Sequence, residues 1–334
     1  MYENPPADSP SRGGRSLLPK YFFMGVLALF LSGTVFQCAY AAEAVSQPRS
    51  LLNTPLRNPE WSDQTRAYLE KDIQIARQVL KIAPEREDSY IWLGRRLTYM
   101  NRFAEAITVY TEGLNRFPGS YKLLRFRGRS LARTRQFKAA IADYTKGLAL
   151  MEGVQDSYEP DGLVNARNQS LGSYRSNFLY YRAQTSWAVG DYASTLKGMQ
   201  LSGQQELVQN TDHQVAVKYW SYLALRKLGR HEEARQLVAD VPDHLELLEN
   251  DDYHRGVRVM KGTLRQADFA SMTDTLGLFA VAMESSFRGD RAQAESLLEA
   301  IILAAPQGFW PAETELIKMR QGLSVERAGL TGAK

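Results

Sequence analysis

The chain has 334 residues, of which 44% are hydrophobic and 23% charged, with a formal net charge of +4. That balance excludes disordered, collagen-like and multi-span membrane classes. It also gives no reason to expect a nucleic-acid partner, because so small a surplus matters only where it is clustered.

The N-terminus reads as a targeting segment, 1–41. Arg12, Arg15 and Lys20 precede the apolar run Tyr21 to Phe36, and "AYA" (Ala39 to Ala41) supplies small residues for cleavage. Cleavage after Ala41 is expected, which would make the protein exported, and an exported chain without disulfides fits a bacterial periplasm. The alternative is an uncleaved inner-membrane anchor, the one membrane contact expected, since the run through Tyr40 approaches the roughly 20 residues that span a bilayer. Cys38 is the sole cysteine and lies in this segment. The mature chain would carry no disulfide, no thiol nucleophile and no cysteine-based metal site.

A linker, 42–59, leads into a helical region, 60–321, followed by a flexible tail, 322–334. The first element there is "DIQIARQVLKIAPE", Asp72 to Glu85, a helix stopped by Pro84. Next come two segments that repeat with a fixed offset. "GRRLTYMNRFAEAITVYTEGLNRFPG" starts at Gly94 and "GRSLARTRQFKAAIADYTKGLALMEG" starts at Gly128, 34 residues later. Leu97, Phe103, Ala106, Ile107, Tyr110, Gly113 and Leu114 match Leu131, Phe137, Ala140, Ile141, Tyr144, Gly147 and Leu148. Each unit holds two stretches with helical apolar spacing, split by a polar turn, Met100 to Arg102 or Arg133 to Arg135. Small residues at Gly94 and Ala106 let the paired helices approach closely, and the apolar residues fill the seam.

These residues resemble the tetratricopeptide repeat (TPR), a 34-residue helix-turn-helix unit. The match loosens downstream, where Gly190, Gly229 and Gly289 each divide two amphipathic stretches. The resemblance implies an all-α array of five helical hairpins, with a leading helix and a capping helix near 311–321, curling into a right-handed superhelix with a concave face. In that family the first helix of each hairpin lines the concave face. Carried over, the lining is Arg95 and Tyr99, then Lys122, Arg125, Arg129 and Arg133, then Tyr180, Gln184 and Trp187, then Tyr219 and Arg226. This would be a basic groove merging into an aromatic one; the other reading of such arginines is a solvated helix face. The family's chaperone-binding clamp has asparagine after the small residue of the first helix. Arg95 and Arg129 stand there, so this chain departs from that clamp.

Two stretches interrupt the periodicity. The insert 151–175 contains "EPDGLVNARNQ", whose Pro160 and Gly162 bring turn chemistry and whose Asp161, Asn165 and Arg167 could point into the groove. The second, 240–256, reads as irregular and acidic, with His244 and His254 ten residues apart, a spacing that suits no metal site. His254 could serve as acid or base, although a lone histidine is more often structural. Together the two stretches resemble a group of exported bacterial TPR proteins, a likeness that supplies no reaction.

No phosphate-cradling glycine loop, G-x-S-x-G elbow or H-E-x-x-H motif occurs, and neither metal nor cofactor is expected. The expected function is a scaffold that binds a protein or peptide partner, an acidic one if the arginines hold it. The alternative is a small-molecule-binding protein or enzyme whose pocket, roofed by the insert, gathers Asp161, Asn165, Arg167, Tyr219, Arg226 and His254. A third is an assembly role, with the repeats stacking on another chain.

Overall fold

The computed structural model describes residues 48–58, 60–160, 165–269, 274–305 and 307–331. A leading helix, α1 (Asp63–Ile82), is followed by hairpins α2 (Glu87–Tyr99)/α3 (Phe103–Arg116), α4 (Tyr121–Arg133)/α5 (Phe137–Leu150), α6 (Tyr174–Ala188)/α7 (Tyr192–Gly203) and α8 (Thr211–Lys227)/α9 (His231–Ala239). Helix α10 (Asp251–Lys261) separates these from the fifth hairpin, α11 (Thr275–Phe287)/α12 (Arg291–Ala304), and α13 (Trp310–Thr331) closes the chain. Consecutive helices pack on one another, and first helices also touch, α2 on α4, α4 on α6 and α6 on α8. This is the all-α, TPR-like hairpin array that the repeat implies. The described residues belong to one compact unit.

One turn conformation recurs. Asn101, Arg135, Gly190, Gly229 and Gly289, each at the turn of a hairpin, all have left-handed backbone, with φ of 56, 63, 82, 74 and 85°. The polar turns and the Gly-polar turns are therefore the same device. In the first two hairpins a side chain is tolerated there at a cost of roughly 1–2 kcal/mol.

The small residues of the repeat are set by neighbouring rings. A Cβ on Gly94 would lie 2.2 Å from the Tyr110 ring, and one on Gly128 would lie 2.6 Å from that of Tyr144. Both rings are fully buried and cannot swing aside. Gly94→Ala should therefore cost about 1–3 kcal/mol through overpacking, even though alanine favours the helix by about 1 kcal/mol. A urea midpoint at or above that of the parent would refute the ring-contact account.

The stretch 240–256 is only partly irregular, which corrects the sequence reading. Its second half enters α10, with Asp251 and Asp252 in the first turn, Arg258 and Lys261 in the last, and Gly262 as a left-handed stop. That polarity suits the helix dipole. Tyr253, Val257 and Met260, spaced as one helix face, are buried. Ahead of α10, the buried carboxylate of Asp212 accepts backbone N–H groups from Leu248 (3.1 Å), Glu249 (2.8 Å) and Asn250 (2.9 Å). The acidic run thus wraps an aspartate whose charge is met by amides.

Helix α13 reaches back across the hairpin turns. Buried Glu313 pairs with Arg135 in the α4/α5 turn and accepts from the Leu51 amide at 2.8 Å. Glu315, also buried, meets Lys227 at 2.5 Å and Lys318 at 3.1 Å.

Candidate functional site

The first helices of the first three hairpins build a ladder of guanidinium groups and rings. The Arg95 guanidinium lies 4.7 Å from the Trp92 ring and 4.7 Å from Phe126. Arg125 lies 5.3 Å from Phe126 and 4.3 Å from Tyr181, and Arg129 lies 5.3 Å from Tyr181. Arg96 adds Tyr99 at 5.7 Å. The helical period puts these residues on one face, and cation–π attraction, about 0.5–2 kcal/mol for each contact, holds the cations beside one another. Arg95 and Arg125 are buried, while Tyr99, Arg129 and Arg133 are half-buried.

The insert docks on this ladder. The bridge between Tyr158 and Ser173 closes its base, with Glu159 N–H donating to Gly172 O at 2.9 Å and Tyr174 N–H to Ser157 O at 3.0 Å. Glu159 presents its carboxylate edge-on to Arg125, with Nη2 3.0 Å from Oε1 and Nε 3.0 Å from Oε2. Only the Nη2 contact has hydrogen-bond alignment; Nε points off the line, and buried Nη1 has no acceptor among the described residues. Asn177 Nδ2 donates to Glu159 Oε2 at 3.0 Å. Arg95 Nη1 donates to Pro160 O at 2.6 Å.

Three aromatic residues of the expected lining lie elsewhere. Tyr180, Trp187 and Tyr219 are core residues and do not line an open groove. Tyr180 bonds Tyr253 hydroxyl to hydroxyl at 2.7 Å, and burial pushes its own phenol pKa up. Trp187 packs edge-on against Trp220 with 5.8 Å between rings, and the Tyr219 hydroxyl donates to Leu276 O at 2.8 Å. Helical spacing put them on the groove side, but α10, which the repeat pattern does not show, and the capping helix α13 pack against that end. Arg226 is engaged by Glu284 at 3.1 Å, and the buried His254 ring meets Pro242 O at 2.7 Å. Arg167 is exposed. Asn165 donates to Glu249 Oε1 at 2.9 Å, so the insert does touch the acidic stretch. Asp161 lies outside the described residues. Arg226, His254 and Asn165 thus each serve a different structural contact.

Glu159, Pro160, Trp92 and Tyr181 were missed as site residues. The signal for Glu159 was present, as an acid beside proline in an insert facing a basic helix. Ser202 Oγ and His213 Nε2 are 3.0 Å apart, a spacing that suits a nucleophile and its base. The Ser202 hydroxyl donates to Ser176 O at 2.9 Å, however, and both residues are buried, so the pair is a structural link. Among the described residues no group of three or more histidine, cysteine, aspartate or glutamate side chains could hold a metal. No described helix is long and apolar enough to cross a membrane.

No protein-family model matches the chain. No curated protein sequence matches it either. Among solved structures, YrrB, described as a TPR protein with an unusual peptide-binding site, is similar with a TM-score of 0.40 and 13% identity, over 72% of this chain and 97% of that one. A structure of Naa15/Naa10 bound to HypK-THB is similar with a TM-score of 0.34 and 15% identity, over 77% of this chain and 37% of that one.

Proposed function

We propose that this TPR-like array is an exported scaffold that binds a protein or peptide partner through the arginine–aromatic ladder of α2, α4 and α6, and that it takes an acidic, extended segment. The observation that carries this reading is Glu159–Pro160: a carboxylate and a backbone carbonyl of an extended segment already sit on Arg125 and Arg95. Guanidinium forks present only donors, so they suit carboxylates and carbonyl-rich backbone. The half-buried Arg129 and Arg133 continue the strip along α4. The N-terminal basic residues, apolar run and "AYA" support export.

Fluorescence anisotropy with labelled acidic peptides, and with their Gln/Asn counterparts as controls, tests the site. The parent should prefer the acidic peptides, and Arg129→Glu should weaken them at least tenfold, with an unchanged circular dichroism spectrum showing that the variant is folded. Equal affinity of parent and Arg129→Glu for acidic peptides would remove the ladder from the account.

A further inference from the structure

Resting on that reading, we propose that Glu159–Pro160 is a tethered occupant of the ladder, which keeps the Arg95/Arg125 position filled until a partner segment of the same chemistry, a carboxylate next to a free backbone carbonyl, displaces it. The contacts are those of a ligand rather than of a loop packed for stability. Proline has no backbone N–H, so at its tip the segment offers acceptors to a surface made of donors. The Glu159 carboxylate is shared between Arg125 and Asn177, and Pro160 supplies its carbonyl to Arg95.

Among the described residues the fit is also incomplete, which makes exchange feasible. Arg125 is 1% exposed, yet Nη1 has no acceptor among the described residues and Nε is poorly aligned. A buried guanidinium left partly unsatisfied favours any carboxylate that meets it more squarely. A chain not anchored by the Tyr158–Ser173 bridge has the freedom to do so. Against this, the tether keeps Glu159 at high effective concentration, so a free peptide must outcompete it. Apparent affinity is then reduced by the fraction of molecules in which the site is open.

The test uses the full chain and a fluorescein-labelled peptide copying residues 152–160, EGVQDSYEP, with an amidated C-terminus. Glu159→Gln removes the charge of the tethered occupant and keeps its shape. It should bind the peptide at least ten times more tightly than the parent, and adding Arg125→Gln should abolish that gain. If parent and Glu159→Gln bind the peptide equally well, the ladder is a peptide site but Glu159 does not guard it, and this proposal fails alone. If neither binds, the ladder reading fails and takes this proposal with it. Hydrogen exchange on the unaltered parent covers the case in which Glu159→Gln folds poorly. Saturating peptide should speed exchange of the Glu159 and Tyr174 amides, which bond Gly172 O and Ser157 O. Unchanged protection at saturation would overturn displacement.

Discussion

Glu313→Gln is expected to lower the stability of the array by about 3–5 kcal/mol, the cost of stranding a buried charge. The Glu313 side chain is 0% exposed and that of Arg135 5%. Arg135 Nη2 donates to Glu313 Oε1, Nε donates to Oε2 at 3.1 Å, and the Leu51 amide donates to the same Oε2 at 2.8 Å. Glutamine can reproduce the shape and one acceptor, but it leaves the guanidinium without a countercharge. Arg135 also holds φ at 63°, where glycine would be unstrained. The ion pair therefore explains why an arginine occupies a turn position that is glycine in the last three hairpins. Arg135→Gly alone should also destabilise, by less, because it relieves backbone strain while stranding Glu313. The double variant should lose less than the sum of the two, since removing both charges removes the unpaired one. Urea unfolding followed by circular dichroism measures all three. Losses below about 1 kcal/mol in both single variants would mean that desolvation cancels the attraction.

Acid should destabilise the protein through His213. Burial, opposed only by its hydrogen bond to Ser202, pushes the imidazole pKa down to about 4. In the unfolded chain it would titrate near the usual value of about 6.5. The native state therefore keeps a neutral ring while the unfolded state takes up a proton as pH falls. The contribution is fully present above pH 6.5 or so, declines by about 1.4 kcal/mol per pH unit below it, and levels off near pH 4, about 3 kcal/mol lower. His213→Gln should flatten this limb relative to the parent, whatever the carboxylates add to both. Urea midpoints at pH 7.5, 6, 5 and 4.5 give the comparison, and parallel curves for parent and variant would sink the assignment.

The hairpins were legible because their determinants are local. The fixed offset from Gly94 to Gly128, the apolar spacing and the turn residues all act within one unit of the repeat. Helix α10 was not legible, because "DDYHRG" surrounds its buried face of Tyr253, Val257 and Met260 with charge. The groove was half legible. Helical periodicity put Arg95, Arg125 and Arg129 on one face, and the rings of Trp92, Phe126 and Tyr181 do join them there. The same periodicity put Trp187 and Tyr219 on that face without revealing that later helices bury them.

Local patterning is enough to make this protein a stack of helical hairpins with clustered arginines and one non-periodic insert. Periodicity along a helix is enough to say which side of it a residue occupies. What each side meets depends on how the helices pack in three dimensions. Arg125 finds Glu159, Arg135 finds Glu313 and Asn165 finds Glu249 across separations of 34, 178 and 84 residues. Pairing at such distances depends on how the stacked hairpins bring the insert and the last helix back over the first ones, and a period of 34 residues holds no record of that.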